Sequence, residues 1–152
     1  ALKIILKPLT YIYEDYYRNE ENIDQSFENI NPDHPYYQVI ERAVTMGVIK
    51  TDATTFDLGS KITREELATW YIRMLGLEQA AKNSNIYKID FTDANKVKAE
   101  NTGYVALAST LELFTINNKE FSPNQEVTFA ELAVSTIRLA HLIAENGRNF
   151  NY

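Results

Sequence analysis

The sequence predicts an all-α fold of tandem helix–loop–helix repeats packed around a shared helical bundle. Three observations carry this. First, Ile62-Thr63-Arg64-Glu65-Glu66-Leu67-Ala68 reads as a helix start. Thr63 with Glu66 three residues on, ahead of an apolar run, is a capping box: hydroxyl to the Glu66 N–H, carboxylate back to the Thr63 N–H. Second, Val127-Thr128-Phe129-Ala130-Glu131-Leu132-Ala133 repeats that pattern 65 residues later. Third, the 65-residue shift aligns Val39–Leu77 on Tyr104–Leu142 without a gap. Ala43/Ala108, Phe56/Phe121, Thr63/Thr128, Glu66/Glu131, Ile72/Ile137 and Arg73/Arg138 all coincide. Phe27 pairs with Phe91 at an offset of 64, so the second copy holds one inserted residue. One unit alone buries little surface, so the pair is expected to share a core.

Residues 1–26 form an N-terminal segment of open fold. Leu2, Ile4, Ile5 and Leu6 suit a short strand or the tail of a helix, ended by Pro8. Tyr11, Ile12, Tyr13, Tyr16 and Tyr17 fit a helix or a strand. Asn19 to Gln25 is a polar, acidic linker. The first repeat spans 27–83. Asp33-His34-Pro35 leads into a helix, with Asp33 or His34 at the cap and Pro35 in the first turn. Val39, Ile40, Ala43, Val44 and Met46 share its apolar face. Gly47 ends it as a C′ glycine, and Val48-Ile49 continues the apolar run. Phe56 is an isolated anchor before the capped helix. That helix buries Leu67, Ala68, Tyr71, Ile72, Leu75 and Leu77, with Gly76 near its end. Glu78 to Lys82 can add a short helix.

Residues 84–90 are a connector and the second repeat spans 91–146. Phe91-Thr92-Asp93 echoes Phe27-Glu28-Asn29, with Asp93 as a cap. Val97, Tyr104, Val105, Ala108 and Leu111 mark a helical region that Gly103 interrupts. Leu113-Phe114 matches Val48-Ile49. The last helix runs from Thr128 to about Glu145, with Leu132, Ala133, Ile137, Ala140 and Ile143 inside. Residues 147–152 are a frayed polar tail.

Composition narrows the function. The 152 residues are 45% hydrophobic and 24% charged, ordinary for a globular domain. A net charge of −6 argues against nucleic acid or an anionic membrane as partner. No apolar run approaches the roughly 20 residues of a membrane span. The chain begins at Ala1 and reads as an excised fragment. With no cysteine there is neither a disulfide nor a thiolate metal site. His34 and His141 have no recognisable nucleophile beside them, so no enzyme is expected. Asp52 to Asp57 lacks the acid ladder and central Gly of a calcium loop. No phosphate-binding glycine loop is present. Neither a cofactor nor a metal is expected.

In these motifs the chain resembles the S-layer homology family, over residues 27–143. The first copy offers Phe27, Asp33-His34-Pro35-Tyr36, Gly47-Val48-Ile49, Phe56 and Ile62-Thr63-Arg64-Glu65-Glu66. The second offers Phe91-Thr92-Asp93, Leu113-Phe114, Phe121-Ser122-Pro123 and Val127-Thr128-Phe129-Ala130-Glu131. The resemblance implies an all-α domain, commonly of three repeats. It also implies non-covalent anchoring of an exported bacterial protein to the Gram-positive cell wall or S-layer. The implied partner is a secondary wall polysaccharide carrying acidic pyruvate ketals, with the motif Arg as a contact. Departures are Pro35 for the helix-start Trp, Phe129 for the motif Arg and Glu112 for the motif Gly, so the second repeat is degenerate.

Arg64, Thr63, Tyr36, Tyr37 and Gly47 are the candidate ligand-binding residues. Capping accounts for Thr63 and Glu66. It does not account for Arg64, because a cation in the first turn opposes the helix dipole. Helix-start amides and a guanidinium together suit an anion; the alternative is a surface Arg paired with Glu65 or an acidic neighbour. Tyr36 and Tyr37 suit stacking on sugar rings; the alternative is one in the core and one on the rim. Two functions remain open. One is glycan binding, which needs a basic concavity at the Thr63 helix start. The other is protein–protein assembly or a spacer role, with another repeat or self-association, which needs a large apolar patch.

Overall fold

The computed structural model describes residues 25–149; the readings made above for residues 1–24 lie outside them. Among the described residues there are helices and no strands, as an all-α fold requires. In chain order these are α1 (Tyr37–Thr45), α2 (Arg64–Met74), α3 (Glu78–Lys82), α4 (Thr102–Thr110) and α5 (Phe129–Asn149). Three short 3₁₀ turns, at Ser84–Ile86, Ala94–Lys96 and Ala99–Asn101, fill the stretch between α3 and α4. Among the described residues the chain divides into two compact units, residues 25–60 with 140–149, and residues 61–139. The division falls inside the first sequence repeat, between its loop and its capped helix.

In the first unit, α1 buries Tyr37, Ile40, Glu41 and Ala43. Val39, Val44 and Met46, expected on that face, are only half-buried. The reason is the buried Glu41 carboxylate, which turns the helix so that it accepts the Ser26 N–H at 3.0 Å. Neither Asp33 nor His34 caps α1; Tyr36 holds the cap position without a side-chain bond. His34 instead uses Nδ1 to accept the Tyr36 N–H at 3.2 Å. The helix stops as expected at Gly47, whose φ is +69°. Gly47 N–H donates to Val44 O at 2.8 Å and Val48 N–H to Ala43 O at 2.9 Å, a Schellman closure.

The second unit is built on α2. Its apolar face of Leu67, Ala68, Tyr71 and Ile72 is fully buried, and α2 and α3 both pack on α4. The expected short helix at Glu78–Lys82 is present as α3. Gly103 does not interrupt α4; it lies in the helix's first turn. A Cβ there would stand 2.0 Å from the Ala81 carbonyl oxygen. The glycine is required by a backbone-to-backbone approach of α4 to α3.

The interior face of α5 is rotated from the one expected. Leu132, Ser135, Thr136, Leu139 and Ile143 are buried, whereas Ile137 is exposed and Ala133 and Ala140 are half-buried. The buried Tyr71 hydroxyl explains the rotation. It needs partners and finds Ser135 Oγ at 2.8 Å and Thr136 Oγ1 at 3.1 Å. Burial raises the Tyr71 pKa, against the two hydroxyl contacts. The helix also outruns its expected end, continuing to Asn149. A single Gly147 costs such a helix only about 1 kcal/mol.

The two sequence repeats share a hydrogen-bond frame. Glu28 N–H donates to Thr54 O, and Thr92 N–H to Lys119 O, each at 2.9 Å. Phe27 meets Phe56 with ring centroids 5.3 Å apart, and Phe91 meets Phe121 at 5.8 Å. At the end of α4, Leu113 N–H donates to Ala108 O as Val48 does to Ala43. Glu112 occupies the Gly47 position there with φ +55°, a strain that glycine does not pay.

Two opposite effects follow. Gly103→Ala should lower unfolding free energy by roughly 3 kcal/mol, because backbone must move to admit the methyl group. Glu112→Gly should raise it by about 1 kcal/mol by relieving the left-handed conformation. Urea unfolding midpoints of the two variants beside the parent check both signs.

Candidate functional site

A cleft of about 440 Å³ opens in the second unit beside the start of α2. Arg64 and Glu131 lie at its floor, with Arg138, Asn117, Asn118 and Gln125 around them. Three elements build it: the α2 start, the loop from Leu113 to Gln125, and the first turns of α5.

Arg64 is not a surface side chain. It is 5% exposed, held from three sides. Its Nη1 pairs with the Glu131 carboxylate. Its Nε donates to Phe121 O at 2.5 Å and its Nη2 to Thr115 O at 3.1 Å. The guanidinium lies 5.2 Å and 5.1 Å from the Phe114 and Phe121 ring centroids, a cation–π contact with both. Burial pulls its pKa below the usual guanidinium value, and the Asp93 charge opposes that shift. It remains a cation at any ordinary pH.

The α2 capping box forms as expected: Thr63 N–H donates to Glu66 Oε2 at 2.8 Å, and Glu66 N–H to Thr63 Oγ1 at 3.3 Å. The second box is only half made. Glu131 N–H donates to Thr128 Oγ1 at 3.2 Å, but the Glu131 carboxylate turns to Arg64 instead of back to Thr128. The amides expected to bind an anion are already used. Arg64 N–H donates to Gln125 O at 2.9 Å, Glu65 N–H to Pro123 O at 3.1 Å, and Glu66 N–H to Thr63. The α2 start is therefore closed to an anion, and the cations that line the cleft are guanidinium groups. The cleft is mixed in charge, since Glu120 and Glu131 share it with Arg64 and Arg138.

Of the five candidate residues, Arg64 alone lines the cleft. Thr63 is the α2 cap. Tyr36, Tyr37 and Gly47 belong to the first unit. There Tyr37 is buried, Tyr36 is 49% exposed with its ring 5.7 Å from His34, and Gly47 closes α1.

Three acidic residues matter more than the sequence suggested. Asp93 makes no cap bond; it is buried and accepts the Phe121 and Ser122 N–H groups at 3.0 and 2.8 Å. Asn29 performs the same task one repeat earlier, exchanging two bonds with Phe56 at 2.8 and 2.9 Å. Glu65 is buried and accepts Lys98 N–H and Asn101 Nδ2, at 3.1 and 2.7 Å. Glu131 neutralises Arg64. The available signal was the third position of each Phe-x-Asp/Asn motif, which falls at the same offset as the Phe anchors. Among the described residues no three metal-ligating side chains converge, and no helix is long and apolar enough to cross a membrane.

This geometry makes Arg64 a structural residue whatever else it does. Arg64→Met should destabilise by about 3 kcal/mol, because Glu131 keeps a buried charge without its partner. Adding Glu131→Gln should restore part of the loss. A double-mutant cycle by urea unfolding measures the coupling.

Comparison with known proteins adds to this geometry. Residues 90–133 match the model of the S-layer homology domain. The chain is 28% identical over 140 residues to a surface layer protein of Brevibacillus choshinensis, covering 91% of this chain. It spans only 12% of that relative's length. No solved structure is matched significantly. The matched segment holds Asp93 and α4, together with the Leu113–Gln125 loop and the start of α5 that line the cleft beside Arg64. Over residues 90–133 the chain is therefore similar to an S-layer homology domain.

Proposed function

We propose that this chain is a non-catalytic module that anchors an exported bacterial protein to the cell wall by binding an acidic secondary wall polysaccharide. The observation that carries this reading is the polar cleft. It is concave, and it presents the side-chain amides of Asn117, Asn118 and Gln125 beside two guanidinium groups. Amides offer both donors and acceptors to sugar hydroxyls, and a guanidinium fork suits the carboxylate of a pyruvate ketal. Arg138 is the more available of the two cations. It is half-buried and gives one bond, Nη1 to Glu112 O at 3.1 Å. Arg64, paired with Glu131, fixes the floor beneath it. The domain match and the surface layer relative support the same reading.

The test is co-sedimentation with purified Gram-positive wall sacculi, with and without their secondary polysaccharide. The parent chain should pellet only when the polysaccharide is present. Arg138→Gln should bind about tenfold more weakly, the loss of one charge-assisted hydrogen bond, with its unfolding midpoint little changed. Equal pelleting with stripped sacculi, or none with intact ones, overturns the reading.

A further inference from the structure

Comparing burial at equivalent positions of the two repeats exposes a mismatch. On α2, Arg64, Glu65, Ala68 and Ile72 are all buried. What covers them is the second repeat. Arg64 and Glu65 give their amides to Gln125 O and Pro123 O, the Glu65 carboxylate holds Lys98 and Asn101, and α4 packs on α2. The equivalents on α5, 65 residues on, are Phe129, Ala130, Ala133 and Ile137. Phe129 is 75% and Ile137 59% exposed, Ala130 is exposed and Ala133 half-buried. The amides of Phe129 and Ala130 make no bond to a described residue matching those of Arg64 and Glu65.

The covering surface has an open copy too. The loop that receives α2 contains buried Phe121 and Pro123. In the first repeat their equivalents are Phe56, half-buried, and Leu58, 48% exposed. Asn29, the counterpart of buried Asp93, is exposed, and so is Gln38, the counterpart of buried Gly103. The chain thus carries a made junction between its repeats, and one unmade half of that junction in each.

We propose that these two open surfaces meet between copies: the Phe129–Ile137 face of one chain seats on the Phe56–Ser60 loop of a second copy. The amides of Phe129 and Ala130 then donate to carbonyls of that loop, as those of Arg64 and Glu65 do within the chain. Phe129 packs beside Phe56 where Arg64 lies against Phe121. An apolar aromatic suits this position better than a cation, because Glu66, the counterpart of Glu131, already commits its carboxylate to the Thr63 capping box. The contact is heterologous, head to tail, so it propagates or closes into a ring. This proposal does not depend on glycan binding.

The test is sedimentation velocity of the 152-residue chain from low to high micromolar concentration. The parent should form species larger than the monomer. Ile137→Glu and Leu58→Glu should each weaken association at least tenfold, with far-UV circular dichroism and melting temperature retained at these exposed sites. Phe129→Ser serves as a second variant of the α5 face. A mixture of Ile137→Glu with Leu58→Glu should form a dimer and nothing larger, because one intact face of each kind remains. A parent that stays monomeric overturns the proposal. So does association that neither variant weakens, or a mixture that stays monomeric. Homodimers of one variant alone would show a symmetric contact and overturn it equally.

Discussion

A guanidinium withdrawn from water needs every side of it answered, and Arg64 obliges three separate elements to answer. The Phe121 and Thr115 carbonyls come from the loop after α4, the carboxylate from α5, and the two aromatic faces from Phe114 and Phe121. Each group would carry a desolvation cost without the others. The loop cannot drift without abandoning the cation, and α5 cannot rotate without stranding Glu131. Asp93 fixes the same loop from behind through the Phe121 and Ser122 amides. The cleft has its shape because its floor is an ion pair whose partners come from different repeats.

Local chemistry was legible in the sequence, and long-range choice was not. The Thr63–Glu66 box, the Gly47 closure, the short α3 and the paired Phe anchors depend on residues a few positions apart, or on a repeat that states them twice. Glu131 had two chemically reasonable partners, the Thr128 amide nearby and a buried cation 67 residues upstream. Spacing showed only the first; burial decided for the second. Asp93 misled in the same way, since a carboxylate before a helical stretch suits a cap as well as a clamp. The rotated face of α5 followed from a single hydroxyl. Ser135 and Thr136 go inward because Tyr71 needs them, and no hydropathy pattern places a polar pair there.

The amides at the α2 start show how a correct local argument can be overtaken. Helix N-termini attract anions because their N–H groups are unanswered. Here the Pro123 and Gln125 carbonyls answer them from the next repeat, so the electrostatic invitation is withdrawn. What the cleft offers a ligand comes instead from side chains of the second repeat: Asn117, Asn118, Gln125 and Arg138. The Arg of the Thr-Arg-Glu-Glu stretch serves first as mortar between repeats. Its influence on a ligand is through the shape of the floor, since Glu131 cancels its charge.

Gly103 fixes the separation of α3 and α4 through atoms of the main chain alone, against the Ala81 carbonyl. The path between those helices is consequently relieved of any duty to set their spacing. It is here that the repeat offset grows from 64 at Phe91 to 65 at Tyr104, and the extra residue is taken up in 3₁₀ turns without disturbing the helix crossing. Ahead of the Phe91–Asp93 clamp, residues 83–90 are thus the stretch where the chain can lengthen or shorten most freely, and an engineer seeking to display a loop or graft a tag would begin there.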